Sequence, residues 1–566
     1  MNAQPISWYL TRMIRYAPVI CGIHALLWAV SNASALIPGV LISRLVTSLE
    51  NGDDNRAMTM AIAFGGLAIG QALLYLLAGR TELAMRFRMS GLVRRNLLRL
   101  LLVTPGKVAL SRSVGDTISR FRDDAYLAED ALDWTDEIIA RIAIALGALG
   151  VMLWIDPIMT LVTVVPTLAI IAGARLAGQM LGDLRRTSSE ATGRFTSTIG
   201  DVIGSALTIQ AAGASERTVA HIAGLARSRR SAVLKDRVVT QGVEGVTRNA
   251  SAIGTGLVML MAATRLRGGD LSVADFILFI SWFAIVADVA IDLGNYLAQM
   301  AAARVAFDRM ETVAQGSPAE MSIVDHTPLY LNGPMPEMDV PAEPAMPQVG
   351  GEIRLCHAGT TFALPSGGVT VITGRIGAGK TSLLQSILGL DPSGVSELHT
   401  DDTAIGYVPQ VPRLFSGTIR ENILLGRKQF AGNLDEVVKL AALHHDLRQM
   451  PQGLETVVGA RGLRVSGGQG QRIALARALV SGPTLLVVDD LSSALDVSTE
   501  KSVWQGLGSL PNLTIIAISH RRFVIQQADL VVVMKSGRVE QMGSLEEVLA
   551  SSAEMRDLWA HPEGED

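Results

Sequence analysis

A glycine-rich segment at residues 374–381 has the residue types that bind phosphate groups. It reads Gly-Arg-Ile-Gly-Ala-Gly-Lys-Thr and directly follows the apolar run Val369–Thr373. The pattern G-x-x-x-x-G-K-[ST], placed between a strand and a helix, predicts a phosphate-binding loop. The glycines allow backbone N–H groups and the following helix N-terminus to surround an anion.

Two side chains at the end of this segment complete the chemistry. Lys380 reaches the outer phosphates, and the Thr381 hydroxyl is a ligand for Mg²⁺. We therefore predict a phosphate-binding site made of Gly374, Arg375, Gly377, Ala378, Gly379, Lys380, Thr381 and Ser382.

A pair of acids ends a second apolar run. Leu485–Val488 is followed by Asp489 and Asp490. A carboxylate at a strand end beside a phosphate loop is the expected partner of Mg²⁺. We predict Asp489 as a metal ligand, together with Thr381.

Four further polar features occur in a fixed order around this pair. In chain order they are Gln410 after the run Ile405–Pro409, the segment Ser466, Gly467, Gly468 and Gln469 before a basic helix, the segment Ser493–Asp496, and His520 after the run Thr514–Ser519. Each of these is an ordinary turn or strand end by itself. Their fixed order around the phosphate loop and the acids indicates that they belong to the same site.

The strands and helices that hold these residues can be predicted from the pattern of apolar residues. Short β-rich runs recur at residues 369–373, 404–408, 485–489, 513–519 and 530–534, with helical patterns at 381–390 and 471–480. Runs of this length, rich in Val and Ile and alternating with helices, predict a soluble α/β domain with a largely parallel sheet.

The remainder of the chain has a different composition. Over all 566 residues only 18% are charged and 49% are hydrophobic, with a formal net charge of −4. These values exclude disorder and an ordinary soluble enzyme, and the lack of a basic excess argues against a nucleic-acid partner.

The chain contains six apolar runs. Five of them lie at residues 16–43, 57–79, 142–155, 157–174 and 249–264, and the sixth begins with residues 276–287. They predict six membrane-spanning helices.

Charge in the connecting loops suggests an orientation. The long loops at residues 80–141 and 175–248 are rich in Lys and Arg, which marks the cytoplasmic side, so we expect both termini to be cytoplasmic. The N-terminus lacks the pattern of a cleaved signal, and we expect a multi-pass protein of a bacterial inner membrane. The sequence thus divides into a membrane domain at 1–310, a Pro-rich linker at 311–349 and a nucleotide-binding domain at 350–566. Asp288 and Asp292 interrupt the sixth run after residue 287. They are four residues apart and share a helix face, which we expect to face protein or water and not lipid.

The order of phosphate loop, Gln410, S-G-G-Q, acidic pair, S-A-L-D and His520 resembles the ATP-binding cassette (ABC) family. With the six preceding runs, the whole chain is similar to an ABC exporter half-transporter. The resemblance implies ATP and Mg²⁺ as cofactors and two nucleotide domains that close head to tail. It assigns Mg²⁺ contact to Gln410, contact with the partner's ATP to Ser466–Gln469, communication across the dimer to Asp496, and γ-phosphate contact to His520.

The sequence departs from the family pattern at the catalytic base. The family usually has Glu where this chain has Asp490, whose carboxylate is one methylene shorter. An aromatic residue that stacks on adenine is also missing, and His357 or Arg354 could replace it. The stretch from Lys380 to Gln410 is short for a half-exporter. Together with the pair of Asp489 and Asp490, it makes the nucleotide domain resemble the weakly hydrolysing first domain of C-subfamily transporters, which keeps an intact signature.

We therefore predict an ATP-hydrolysing translocase that exports a lipophilic compound, peptide or lipid. Asp490, His520 and Gln410 are its predicted catalytic residues. The prediction favours a heterodimer in which a second, Glu-bearing half-transporter does most of the hydrolysis. A homodimeric exporter or lipid flippase, and an importer with the exporter fold, are the alternatives.

Overall fold

In the structure, a computed structural model, the chain forms two compact units. The first comprises most of residues 4–329 and the second extends from residue 353. The residues described are 4–103, 114–176, 178–313, 321–329, 353–390, 396–399, 404–427, 433–459, 465–492, 495–510 and 512–560.

The described residues of the first unit are helical, apart from short turns and the stretch 321–329. Its helices are α1 (Ile6–Tyr16), α2 (Pro18–Ser34), α3 (Ile37–Glu50), α4 (Asp54–Val103), α5 (Val114–Ser119), α6 (Ala125–Ile155), α7 (Pro157–Leu176), α8 (Gly178–Gly204), α9 (Ala206–Ala211), α10 (Ser215–Arg248), α11 (Ala250–Gly268) and α12 (Val273–Glu311). A π-helical turn, Arg120–Asp124, joins α5 to α6. The second apolar run belongs to the 50-residue helix α4, which continues far beyond the apolar part.

All six predicted apolar runs are helical, but they differ in length and composition. Within the described residues, four helical stretches are long and apolar enough to cross a membrane: Pro18–Glu50, Asp54–Leu102, Asp116–Ile155 and Val273–Glu311. The shorter apolar stretch Pro157–Ala169 covers most of the fourth run, and the fifth run lies almost entirely in α11, whose last turn contains Arg265 and Arg267. The membrane domain is therefore helical as predicted, and the number of six spans stays a prediction.

Apolar side chains of this unit divide between a core and an outer surface. Met85, Met89 and Leu97 of α4 are fully buried against α1, α6 and α12, and Tyr9 stacks on Phe307 with ring centroids 4.5 Å apart. In the apolar half of α4, by contrast, large side chains such as Ile69 and Leu76 are exposed. Such exposure is typical of a helix that faces lipid, because apolar side chains there contact apolar lipid tails and not water.

Part of the predicted linker is packed rather than free. Residues 314–320 and 330–349 lie outside the described residues, whereas 321–329 contacts the helices of the first unit. Ile323 and Val324 are completely buried, and Asn96 donates hydrogen bonds to the carbonyls of Ile323 and Asp325. The two apolar side chains in this short stretch explain the difference from a solvated linker, because their burial stabilises the contact.

The second unit is an α/β domain with two sheets. Its strands are β1 (Arg354–His357), β2 (Thr360–Ala363), β3 (Val369–Thr373), β4 (Ser396–His399), β5 (Ile405–Val408), β6 (Leu485–Asp489), β7 (Thr514–Ile518), β8 (Leu530–Lys535) and β9 (Arg538–Gly543). Its helices are α13 (Lys380–Ile387), α14 (Ile419–Leu424), α15 (Leu434–Leu440), α16 (His444–Gln449), α17 (Gly467–Leu479), α18 (Val497–Gly508), α19 (Arg522–Ile525), α20 (Leu545–Ser551) and α21 (Ala553–Ala560).

The main sheet has the order β5-β6-β7-β3-β8-β9. Its first five strands are parallel, and β9 pairs with β8 in the antiparallel sense. Every residue of β6 and β7 is buried, as expected for central parallel strands covered on both faces. The fold class predicted from the alternating runs is confirmed, and the smaller antiparallel sheet β2-β1-β4 is an addition. This arrangement brings the carboxyl ends of β3, β6 and β7 side by side.

Candidate nucleotide-binding site

The phosphate loop turns sharply between β3 and α13, and its glycines are required by the backbone. Gly374 has φ of 141°, and a Cβ there would lie 2.3 Å from the carbonyl oxygen of Met534 in β8. Gly379 has φ of 97°, with the Cα of Gly537 3.3 Å from its ideal Cβ position. The turn between β8 and β9 therefore supports the loop at a distance that only glycine allows.

Lys380 lies inside the loop rather than on its outer surface. Its side chain is 9% exposed, and its Nζ donates to the carbonyl oxygens of Gly374 at 2.5 Å and Arg375 at 2.9 Å. Ala378 is buried beneath the loop, and its carbonyl accepts from the Gly537 N–H at 3.0 Å. The ammonium group is thus held at the centre of the turn, next to the start of α13.

Asp489, at the end of β6, lies beside the first turn of α13. It is 3% exposed, and burial raises the pKa of its carboxyl above the ordinary value. A hydrogen bond from the Thr381 hydroxyl and the nearby charge of Lys380 act in the opposite direction and favour the carboxylate. A hydroxyl and a carboxylate paired in this way are oxygen ligands of the type that Mg²⁺ prefers. Ser382 follows on the same turn and is exposed.

Asp490 has a strained backbone that turns the chain away from the sheet. Its φ is 51°, which is uncommon for a residue other than glycine, and its N–H donates to the Ile518 carbonyl at 3.1 Å. The Gln410 side-chain amide donates to the Asp490 carboxylate at 3.4 Å. Gln471 of α17 reaches the main-chain carbonyls of both residues at 3.4 Å. The structure therefore brings together the predicted pair of Gln410 and Asp490.

His520 follows β7, the strand between β6 and β3. It lines a small cavity together with Thr373 at the end of β3 and with residues of α19 and α21. The sheet order places it at the same edge as the phosphate loop and the acidic pair. Glycine loop, lysine, acids, glutamine and histidine thus converge at the carboxyl edge of the parallel strands, which is where open α/β sheets bind their ligands.

Ser466 and Gln469 form the beginning of helix α17. The Ser466 hydroxyl accepts from the Gln469 N–H, and the Gln469 side chain accepts from the Ser466 N–H at 2.9 Å, which is a capping box. Ser466 and Gly467 are exposed, and Gly468 is half-buried. The helix N-terminus is thus presented at the surface, where its N–H groups are available to an anion.

An acid of α16 supports this helix from behind. Asp446 accepts from Gln469 at 2.9 Å and pairs with Arg472 at 2.6 Å. Burial acts to raise the pKa of Asp446, but the hydrogen bonds from Gln469 and Arg472 outweigh it and hold the pKa below the usual range. Asp446 and Gln471 have no recognisable role in the sequence alone, because their contacts with the site come from distant parts of the chain.

Asp496 caps helix α18 at the surface. Its carboxylate accepts from the backbone N–H groups of Ser498 and Thr499 at 3.0 Å and from both of their hydroxyls. These bonds lower the pKa of Asp496, since all four donors favour the charged form. The carboxylate is therefore kept ionised on an exposed edge. Ser493 and Ala494 lie outside the described residues.

His357 is not available for stacking on a base. It is 5% exposed, and its Nε2 lies 3.0 Å from the carbonyl oxygen of Gly537, in the turn that supports the phosphate loop. The hypothesis that His357 replaces the adenine-stacking aromatic is therefore wrong, because the ring is buried in the fold. Arg354, at the start of β1, is exposed.

Ionised side chains also gather between the helices of the first unit. Arg86 of α4 lies 3.0 to 3.9 Å from four acids, Glu82, Glu129, Asp130 and Asp133, and we call these five residues the Arg86 cluster. Asp292 pairs with Arg141, which also contacts Glu137 at 2.5 Å. Asp292 therefore faces protein, in agreement with the sequence-based expectation, and its charge is already compensated.

Comparisons with known proteins extend over both units. The family described as ABC transporter transmembrane region matches residues 22–288, and the family described as ABC transporter matches residues 358–493. An ATP-dependent lipid A-core flippase of Chromobacterium violaceum is 26% identical over 558 residues, covering 92% of this chain and 91% of the flippase. A probable multidrug resistance ABC transporter ATP-binding/permease protein of Bacillus subtilis, YheI, is 31% identical over 293 residues, covering 47% of this chain and 49% of YheI.

The fold is also similar to a solved structure. A bacterial Atm1-family ABC exporter with ATP bound superposes with a TM-score of 0.76 at 22% identity, covering 97% of this chain and 99% of the exporter. At this identity the likeness concerns the fold, which is that of an exporter with a helical membrane domain and an ATPase domain.

Proposed function

The chain belongs to the ABC transporters, whose transmembrane and ATP-binding families together match more than half of it, and we propose that it is one half of a dimeric, ATP-driven exporter. In this proposal its second unit binds and hydrolyses ATP. Its first unit, a multi-pass helical membrane domain, carries the transported molecule.

One observation supports this proposal above the others. The phosphate loop, Lys380, Asp489 and the pair of Gln410 and Asp490 converge at one edge of the sheet. Each has a place in phosphoryl transfer, in which catalysis consists mainly of positioning and electrostatic stabilisation.

The residues present fit Mg²⁺ and ATP. Thr381 and Asp489 supply a hydroxyl and a carboxylate side by side, and Gln410 supplies an amide oxygen, so these three would hold the metal. Bound Mg²⁺ would neutralise charge on the phosphates. The loop glycines would let backbone N–H groups approach the phosphates, and Lys380 would exchange its two carbonyl partners for phosphate oxygens.

Asp490 and His520 would act on the attacking water and the terminal phosphate. We propose Asp490 as the carboxylate that orients the water, with the Gln410 amide holding it. Because Asp is one methylene shorter than Glu, its carboxylate lies about 1.5 Å short of the usual place. A misplacement of about 1 Å costs on the order of 100-fold in rate, so we expect slow hydrolysis at this site.

The cargo is proposed from the relatives. The flippase matches nearly the whole chain, so lipid is the first cargo class to test, ahead of other lipophilic compounds and peptides. This comparison supports the alternative of a homodimeric exporter or lipid flippase better than it supports the heterodimeric exporter that the sequence favours.

Assembly with a second half-transporter belongs to the same proposal. Either a second copy or a different, Glu-bearing chain would place its phosphate loop against the Ser466–Gln469 segment of this one, where Ser466 and Gly467 are exposed. The heterodimer is the second candidate, and Asp490 is the observation that favours it. The orientation with both termini in the cytoplasm rests on the basic loops and remains part of the proposal.

The test is reconstitution of the purified chain in proteoliposomes containing a fluorescent phospholipid. We expect ATP hydrolysis and ATP-dependent movement of the lipid between leaflets, and the Lys380→Ala variant should lose both. Lipid movement that is equal in wild type and variant would contradict the proposed transport. Hydrolysis that appears only after addition of a Glu-bearing half-transporter from the same cell would favour the heterodimer.

A further inference from the structure

Helix α21 lies against the phosphate loop and holds one of its side chains. Arg375, the second residue of the loop, directs its guanidinium to Glu554 at 2.9 Å and also pairs with Asp557. Glu554 is only 7% exposed and is shared with Lys535 of β8 at 3.5 Å. The side chain of Arg375 therefore points to α21, although its position in the motif suggests contact with phosphate.

The main chain of the same residue contacts the phosphate-binding lysine. The Arg375 carbonyl accepts from Lys380 Nζ at 2.9 Å, and it also accepts from the Ala378 N–H at 3.1 Å. A single residue thus links the acids of α21 to the ammonium group. The Arg375 side chain and this carbonyl belong to one short, tightly wound turn, so the ion pairs with α21 also restrain the main chain of the loop.

The far end of α21 contacts the chain close to His520. The Trp559 carbonyl accepts from the Arg522 guanidinium at 2.5 Å, and the Arg522 guanidinium lies over the Trp559 ring, 5.4 Å from its centroid. Arg522 begins helix α19, two residues after His520. Trp559 and His520 line the same small cavity. Helix α21 therefore contacts the chain next to both of the elements expected to touch the outer phosphates.

Helix α21 is itself firmly held, which lets it position other groups. Met555 is completely buried in the core of the unit, and its N–H donates to Ser552 at 3.0 Å. The Ser552 hydroxyl in turn donates to Glu540 of β9 at 2.9 Å. A helix anchored to the core in this way presents Glu554 and Asp557 as a fixed pair of acids.

We propose that helix α21 positions the phosphate loop for ATP, with Arg375 as a positioning residue whose pairs with Glu554 and Asp557 fix the main chain of the loop around Lys380 before ATP binds. The inference rests on the proposed ATP-binding function. It changes the role of Arg375 from a nucleotide contact to a link between the loop and α21. ATP binding should then depend on acids of α21 that lie outside the motifs of the site.

The experiment measures binding of a fluorescent ATP analogue with Mg²⁺ to the purified full-length chain. We compare wild type, Arg375→Ala, the double variant Glu554→Gln/Asp557→Asn, and the triple variant that combines them. Exposed and half-exposed ion pairs contribute modestly, so we expect each of the first two variants to weaken binding about threefold to fivefold. The triple variant should bind no more weakly than either, because contacts that act as one unit are not additive.

Two further variants separate positioning from a general loss of stability. Arg556→Gln changes an exposed arginine of the same helix that bonds to carbonyls of α20, and it should bind like wild type. Arg375→Lys keeps the positive charge and should recover most of the affinity. In hydrolysis assays the KM for ATP should rise with kcat nearly unchanged, and the melting temperature should stay within about 2 °C of wild type.

Three results would overturn the inference. One is an Arg375→Ala effect that is equally large in the Glu554→Gln/Asp557→Asn background, which would indicate direct contact of Arg375 with the nucleotide. Another is wild-type affinity in Glu554→Gln/Asp557→Asn. A wild-type chain that binds no analogue would instead refute the proposed function, and the inference with it, so the two failures are distinguishable.

Discussion

The phosphate loop and the Arg86 cluster both hold charged groups away from water, but they do so by different means. In the phosphate loop the partners of Lys380 are main-chain carbonyls five and six residues away. In the Arg86 cluster the guanidinium meets three carboxylates of another helix, more than 40 residues along the chain, and only one of its own helix. The first site is formed by backbone geometry, and the second by the packing of two helices.

This difference determines which substitutions each region tolerates. The loop depends on glycine conformations and on close main-chain approach, so the addition of a single methyl group is harmful. The cluster depends on charge balance, so the loss of its arginine leaves several acids without compensation. Four predictions test this contrast, in order of decreasing effect.

The Gly374→Ala substitution should abolish ATP binding. The new Cβ would lie 2.3 Å from the Met534 carbonyl, at a φ that alanine avoids, so the loop must move. We expect a loss of at least about 100-fold in hydrolysis, the cost of a displacement of about 1 Å. Gly508→Ala is the matched control, since no atom lies within 4 Å of its ideal Cβ, and it should keep full activity. Near-normal hydrolysis by Gly374→Ala would show that the loop is less constrained than its geometry indicates.

The Arg86→Met substitution should destabilise the membrane unit without a direct effect on nucleotide binding. Four acids would lose their common counter-charge, and we expect a loss of about 2–3 kcal/mol in the free energy of unfolding. Thermal unfolding of the detergent-solubilised protein measures it. Arg56→Met, which breaks the exposed pair with Asp53, should leave the transition unchanged. Equal stability of the two variants would mean that the Arg86 cluster is solvated.

The Asp490→Glu substitution tests whether the shorter carboxylate limits hydrolysis. The added methylene extends the carboxylate towards the attacking water, and we expect kcat to rise by about tenfold or more, which corresponds to at least roughly 1.4 kcal/mol in the barrier. Saturating Mg-ATP and the isolated chain are the conditions for the measurement. If wild type already turns over at about 1 s⁻¹ or faster and Glu adds nothing, Asp490 is sufficient and a working homodimer is the better explanation.

The Asp446→Asn substitution should have the smallest effect and a defined pH dependence. Hydrogen bonds from Gln469 and Arg472 lower the pKa of Asp446 in the folded state. The group therefore stabilises the domain above the unfolded pKa of about 3.9, and this contribution is lost as the pH falls through the lower folded pKa. Wild type should exceed the variant by about 1 kcal/mol at pH 7, and the difference should vanish in acid. Glu455→Gln, in the exposed pair with Arg420, is the control and should show no difference at either pH.

The sequence predicts some elements of the fold better than others, because only some of them depend on a local pattern of residues. Strands β3 and β6 have the bounds that their apolar runs predict, because a buried parallel strand needs a short continuous run of Val, Ile and Leu. The small antiparallel sheet was not anticipated, since strands β1 and β4 are short and partly polar. Residues 321–329 were expected to belong to a linker, because the surrounding prolines outweighed the two apolar residues that the fold buries.

By itself, the sequence determined the helical character of the six apolar runs, the α/β unit and the phosphate loop with its lysine. These features depend on residues that are close neighbours in the chain, so their spacing alone indicates them. The tertiary structure decided that Met534 and Gly537 lie under the loop, that Arg375 turns to α21, and that Arg86 meets the acids of α6. Such contacts depend on how segments that are distant in the chain pack together, and a local sequence pattern does not predict that packing.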